Sequence, residues 1–212
     1  MKNIKHVCFD LDGVIIDSSL LSKKSWEYSI SNLDIDIPFE NFQTYSGLKI
    51  KDILNKLEID NDSVEIIEAK FEQFSNTNLS FLKIFEGITD VLTNFDKDGI
   101  CLSIFTSKPF QRALDALEYF EIRNYFKYVL STHQLTNDQA KPSPYGVIEI
   151  CKKTSQKLEN TIYIGDTIFD KKLAGNANIL FGLAKWGYGN DIHSEIEFET
   201  PLELGNYIFG VN

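Results

Sequence analysis

Apolar residues along this chain fall into short runs with abrupt ends. Residues 4–9 (IKHVCF), 100–105 (ICLSIF), 127–130 (KYVL), 161–164 (TIYI) and 179–184 (ILFGLA) are continuous apolar or β-branched stretches rather than alternating ones. Such runs predict short strands buried on both faces. Helical periodicity predicts helices between them over 87–97, 110–120, 143–158 and 167–177, two of them opening after Gly87 or a first-turn proline. Regular alternation of strand and helix implies an α/β fold: a Rossmann-like three-layer core with a parallel sheet, and functional loops at the carboxyl ends of its strands.

Residues 18–83 break this rhythm. Helical segments are expected at about 19–32, 39–45, 49–58 and 63–79, with no convincing strand. The stretch reads as an α-helical domain inserted after the first strand, leaving 1–17 and 84–212 as the core. The tail from about 190 to 212, acidic and then apolar, reads as a docked terminal segment.

Composition narrows the function classes. The chain has 212 residues, 43% hydrophobic, with 16 Phe, 9 Tyr and 2 Trp, too many for disorder. Its net charge of -10 argues against a nucleic-acid backbone or an anionic membrane surface as partner. With no long apolar window and an aspartate already at position 10, neither a membrane span nor a signal peptide is expected, which points to the cytoplasm. A monomer is the default expectation, with a dimer open. Cys8, Cys101 and Cys151 are scattered and read as core residues, and His6, His133 and His193 are too dispersed to suggest a histidine metal centre.

Four short segments carry candidate chemistry. Asp10-Leu11-Asp12-Gly13 follows the first strand, and Gly13 gives the freedom to turn that two converging carboxylates need. A solvated turn is the bland alternative, and a calcium loop fails because Leu21 stands where its closing glutamate belongs. Thr106-Ser107-Lys108 follows the second strand and offers hydroxyls and backbone N–H groups for an anion, although Ser and Thr cap helices everywhere. Lys141-Pro142-Ser143-Pro144 holds a lysine on a rigid turn that could equally be a surface one. Gly165-Asp166-Thr167-Ile168-Phe169-Asp170 is a second acidic strand end, or simply a helix cap.

In this order, each at a strand exit or in a loop, the segments resemble the haloacid dehalogenase-like hydrolase superfamily, and within it phosphatases with a helical cap after the first motif. The resemblance covers nearly the whole chain. It implies a phosphohydrolase acting on a small phosphorylated metabolite through an aspartyl-phosphate. Asp10 would be the nucleophile and Asp12 the acid and later base. Family members acting on carbon–halogen or carbon–phosphorus bonds lack the second aspartate, so Asp12 favours a phosphorylated substrate. Mg²⁺ would be held by the Asp10 and Asp166 carboxylates and the Asp12 main-chain carbonyl, with Asp170 behind them or acting through water. Thr106 and backbone near Ser107 would hold the phosphoryl oxygens, and Lys141 would neutralise the nucleophile and the transferring group.

The loop Tyr45-Ser46-Gly47-Leu48-Lys49 matches a family cap loop that supplies specificity, with Gly47 letting the backbone approach substrate. Lys49 or Lys51 would contact an anionic leaving group or, the preferred reading, lie on a solvated helix face. Ser22 and Ile50 occupy positions where sugar-phosphate mutases of this cap class carry histidine and arginine, which disfavours a mutase. Trp26 reads as cap core, and Trp186-Gly187-Tyr188-Gly189 as a loop bordering the site. A phosphoacceptor or binding protein on the same fold is the remaining alternative, weakened by the insert and by the presence of Asp10, Asp12, Lys141 and Asp166 together.

Overall fold

The computed structural model describes residues 4–189 and 192–210. Residues 1–3, 190–191 and 211–212, at the ends of the expected core segments and tail, lie outside them. In chain order the elements are β1 (His6–Phe9), β2 (Ile16–Asp17), α1 (Ser19–Ile30), α2 (Phe39–Gln43), α3 (Ile50–Lys56), α4 (Asn61–Thr77) and β3 (Lys83–Ile84). There follow α5 (Ile88–Lys97), β4 (Cys101–Thr106), α6 (Phe110–Tyr119), β5 (Tyr128–Ser131), α7 (Tyr145–Thr154), β6 (Thr161–Gly165), α8 (Ile168–Ala177), β7 (Leu180–Ala184), β8 (Glu197–Phe198) and α9 (Pro201–Phe209).

Six strands form one parallel sheet in the order β5-β4-β1-β6-β7-β8. Successive side chains of a strand point to opposite faces, so strands covered on both faces must be apolar throughout. Val7, Phe9, Leu102, Ile104, Ile162 and Ile164 pack on one face against α5, α6 and Leu204 of α9. Cys8, Phe105, Leu130 and Tyr163 pack on the other against α7 and α8. This is the expected three-layer α/β core.

Helices α1 to α4 have a hydrophobic cluster of their own, in which Trp26, Phe42, Ile53, Leu54, Val64, Ile67 and Phe71 are buried together. Trp26 stacks on Phe42 with ring centroids 4.9 Å apart, and its indole N–H donates to the Ile37 carbonyl at 2.9 Å. The antiparallel pair β2 and β3 lies at the two ends of this stretch.

Two element readings are corrected, and the tail docks as expected. The helix expected over 143–158 ends at Thr154, because Ser155 takes a left-handed conformation with φ of 57° that stops it without a glycine. The segment at 39–45 is helical only over Phe39–Gln43. The described part of the tail contains both the edge strand β8 and α9, which packs on α5. Among the described residues no helix is long and apolar enough to cross a membrane.

His6 belongs to the fold rather than to a site. Its ring nitrogens lie 2.7 Å from Ser103 Oγ and 3.0 Å from Thr161 Oγ1, fully buried, and burial lowers its pKa to about 4. The unfolded chain takes up a proton near pH 6.5 that the folded chain refuses. Stability therefore falls as pH drops from 6.5 towards 4, by about 3 kcal/mol in all. In urea titrations His6→Gln is expected to lose less stability across that window than the parent; parallel profiles would show that His6 does not stay neutral.

Candidate active site

The sheet order sets the place of the site. From β1 the chain crosses to β4 and β5 on one side, then returns to β6 on the other. At such a reversal the crossing loops diverge and leave a crevice beyond the carboxyl ends of the two central strands. Asp10 directly follows β1 and Asp166 directly follows β6, so the crevice has a carboxylate on each side.

A third carboxylate joins them. Asp10, Asp166 and Asp170 are all buried, each with an oxygen within 4.8 Å of the others. Asp170 sits in the first turn of α8, where its Oδ2 accepts from the Thr167 N–H at 3.0 Å and the Thr167 hydroxyl at 2.6 Å. The capping reading of this segment is met, and the opposite oxygen of the same side chain, Oδ1, accepts from Lys141 Nζ at 2.9 Å. That same Nζ lies 2.9 Å from Asp10 Oδ1 and is flanked by the rings of Phe105 and Tyr163. Lys141 is therefore no surface lysine.

Gly13 is required on two counts. Its φ is +84°, and a Cβ there would lie 2.2 Å from Asp166 Oδ2. The same Asp166 oxygen accepts from the Tyr188 N–H at 2.7 Å, which places the expected bordering loop against the acidic cluster.

The cluster holds more negative charge than its lysine offsets. Burial raises the pKa of Asp10 to about 7, with Lys141 opposing and Asp170 and Asp12 adding to the rise. Burial, then Asp170 and Asp10, push Asp166 well above the usual carboxylate range. Burial alone would lower Lys141, but Asp10 and Asp170 outweigh it and hold the ammonium above the ordinary lysine range. Asp166 Oδ1 is also buried without a hydrogen-bond partner among the described residues, and Asp10 Oδ1 has only the Lys141 ammonium beside it. Orphaned carboxylate oxygens cost free energy when buried. A hard divalent cation with oxygen ligands, such as Mg²⁺, fits this donor set.

Asp12 is held apart from the cluster. Its carboxylate accepts from Lys108 Nζ at 2.8 and 3.0 Å, and although burial alone would raise its pKa, Lys108 outweighs that and keeps it low. Thr106, buried at the end of β4, accepts from the Lys108 N–H through its hydroxyl at 3.1 Å. The Ser107 hydroxyl donates to the Gly47 carbonyl at 2.6 Å, tying the helical segment to the core. At Gly47, φ is +93° and a Cβ would meet Thr167 Oγ1 at 2.9 Å, so this loop approaches the core by its backbone.

A cavity of about 120 Å³ opens over these residues, lined by Asp10, Asp12, Thr106, Ser107 and Gly47. For Lys49 the preferred solvated reading agrees with the structure and the substrate contact is corrected: it does not line the cavity, and its Nζ donates to Asn137 Oδ1 at 3.3 Å on the surface. Lys108, Arg112 and His133 do line it, and no role was expected of them. Lys108 precedes α6 and Arg112 lies in its first turn.

A parallel α/β sheet with paired acids at its switch point, a buried lysine between them and a hydroxyl at the neighbouring strand end defines a class of acid-centred hydrolytic enzymes. The sequence pattern of the haloacid dehalogenase-like hydrolases matches residues 7–184. The chain belongs to that family. It is 25% identical to the pyrophosphatase PpaX of Oceanobacillus iheyensis over 185 residues, covering 87% of this chain and 85% of the relative. It is 24% identical to the phosphoglycolate phosphatase of Aquifex aeolicus over 186 residues, covering 87% and 86%. In fold it is similar to the haloacid dehalogenase-like family protein SP0104 from Streptococcus pneumoniae, with a TM-score of 0.85, 21% identity, and 98% and 99% of the two chains covered.

Proposed function

We propose that this haloacid dehalogenase-like phosphatase hydrolyses a small phosphorylated metabolite with Mg²⁺, through an aspartyl-phosphate on Asp10. The reading is carried by one observation: a buried carboxylate at the switch point, paired with Lys141 and flanked by two further acids, one of which, Asp166, keeps an oxygen with no partner among the described residues. Curated relatives named pyrophosphatase and phosphoglycolate phosphatase support it.

Asp10 attacks phosphorus and the bond to the leaving oxygen breaks; Asp12, ionised against Lys108 in the substrate-free site, first takes up a proton from solvent as the substrate binds and then gives it to that oxygen. Water then attacks the same phosphorus while Asp12 takes up its proton, which releases inorganic phosphate and restores Asp10. Thr106 and backbone at Ser107 hold the phosphoryl oxygens, and Lys141 holds the charge of nucleophile and phosphoryl group together. Asp10, Asp166 and the Asp12 main-chain carbonyl would hold Mg²⁺, with Asp170 fixing Lys141 and the mouth of α8. When bound, the ion neutralises phosphoryl charge.

In this reading 18–83 is the cap over a core of 1–17 and 84–212. The cavity suits a small substrate, since an apolar void of about 150 Å³ accommodates benzene. Ser22 and Ile50 line it and bring neither imidazole nor guanidinium, which favours water over a sugar hydroxyl as acceptor. In a panel of small phosphate esters and pyrophosphate, phosphate release is expected with Mg²⁺ and is expected to stop with chelator. Release that persists in chelator, or none from any member with Mg²⁺, rejects the reading.

A further inference from the structure

One cation in the cavity has no work in the chemistry above. Arg112 lines the cavity from the first turn of α6, and its guanidinium makes no hydrogen bond or ion pair among the described residues. Burial lowers its pKa, and only Asp12 and Glu72 act on it as acids. Asp12 is already held through both oxygens by Lys108, and Glu72 on α4 makes no hydrogen bond to Arg112. A guanidinium is planar, permanently charged and suited to two parallel hydrogen bonds with a carboxylate or phosphate. Left half-buried and unpaired, it is short of an anion.

Its position selects which part of the substrate that anion belongs to. Arg112 lines the same cavity as Asp12 and Lys108, whereas Lys141, Asp166 and Asp170 are not part of its lining. It therefore stands on the side of the group that protonates the leaving oxygen, away from the carboxylates gathered around Lys141. His133, also in the cavity, has its pKa lowered by burial and then by Lys49, so it adds a neutral donor rather than a second charge.

We propose that Arg112 binds a second anionic group on the leaving portion of the substrate, so that the preferred substrates are small phosphate compounds carrying a carboxylate or a further phosphate beside the scissile bond. This rests on the phosphatase reading and narrows its substrate class. Lys49 donates to Asn137 outside the cavity, which leaves Arg112 as the cation inside it with no hydrogen-bonded or ion-paired acid among the described residues.

The test compares 2-phosphoglycolate with ethyl phosphate, two alkyl phosphates of similar size that differ in a carboxylate. With Mg²⁺, the wild-type kcat/KM is expected to favour phosphoglycolate by at least tenfold, and Arg112→Ala is expected to cut that preference by about 10- to 100-fold, chiefly through KM. Arg112→Lys, which keeps the charge and loses the fork, should restore part of it. A preference preserved to within fivefold in Arg112→Ala, or absent from the wild type, overturns the proposal. Should the wild type hydrolyse neither compound, the phosphatase reading is judged on the wider panel and separately from Arg112. The same ratio taken from equilibrium dissociation constants of the two compounds then still decides the role of Arg112.

Discussion

Asp10→Asn is expected to lower kcat for phosphate esters by about 10³-fold or more while leaving the protein folded. Asparagine has nearly the shape of aspartate, so the change preserves the packing at the end of β1. It removes the negative oxygen that would attack phosphorus. Because Asp10 lies in a buried group with Asp166 and Asp170, the change also relieves repulsion, and the melting temperature in chelator is expected to stay level or rise. Loss of activity with retained or increased stability separates a chemical role from a structural one. Asp12→Asn is the companion: its effect should be large for alkyl phosphates, whose leaving oxygen needs a proton, and smaller for aryl phosphates, which leave without one. Asp10→Asn activity above a few per cent of the parent, or equal Asp12→Asn losses on both leaving groups, contradicts the assigned roles.

The parts of this site that could be read in the sequence are those fixed by strand ends. A residue directly after an apolar run of a parallel sheet lies at the carboxyl edge wherever the sheet twists, so Asp10, Thr106 and Asp166 could be placed without coordinates. Lys141 was harder, since it reaches the cluster across a ten-residue connection from β5, and only the motif order drew attention to it. The Lys108 grip on Asp12 and the unpaired Arg112 were not readable. Both depend on where side chains at the start of α6 point, and the local sequence there, Lys-Pro-Phe-Gln-Arg, equally describes a solvated helix start. The same limit hid β8, a two-residue edge strand with too few positions to show alternation, and the left-handed Ser155 that ends α7. In each case a contact distant in sequence decides a conformation that local pattern leaves open.

Lys141→Met should have the opposite stability signature from Asp10→Asn. The substitution keeps a long flexible side chain between Phe105 and Tyr163 and removes the cation that lies 2.9 Å from both Asp10 and Asp170. Three buried carboxylates are then left facing one another. Removing one partner of a buried ion pair typically costs about 3–5 kcal/mol, because the remaining charge is uncompensated. For a chain of this size that corresponds to a fall of roughly 6–20 °C in melting temperature, measured in chelator. If the buried oxygens of Asp10 and Asp166 are a divalent-cation site, added Mg²⁺ should recover more of this loss in the variant than it stabilises the parent, since the ion then supplies the only neutralising charge. Turnover should stay at least about 10²-fold down even with Mg²⁺ restored, because the ion does not replace the ammonium held between Asp10 and Asp170. Equal Mg²⁺ effects on the two proteins would mean that the cation binds elsewhere, and near-parental turnover in the variant would remove Lys141 from the chemistry. Read together, a melting temperature that rises or holds on losing one carboxylate and falls on losing the lysine identifies repulsion among the carboxyl groups as what raises the pKa of Asp10 and Asp166 in the empty cluster. A divalent ion relieves that repulsion by displacing protons, so a phosphatase can hold an ion, and with it a phosphoryl group, in a protein whose net charge is -10.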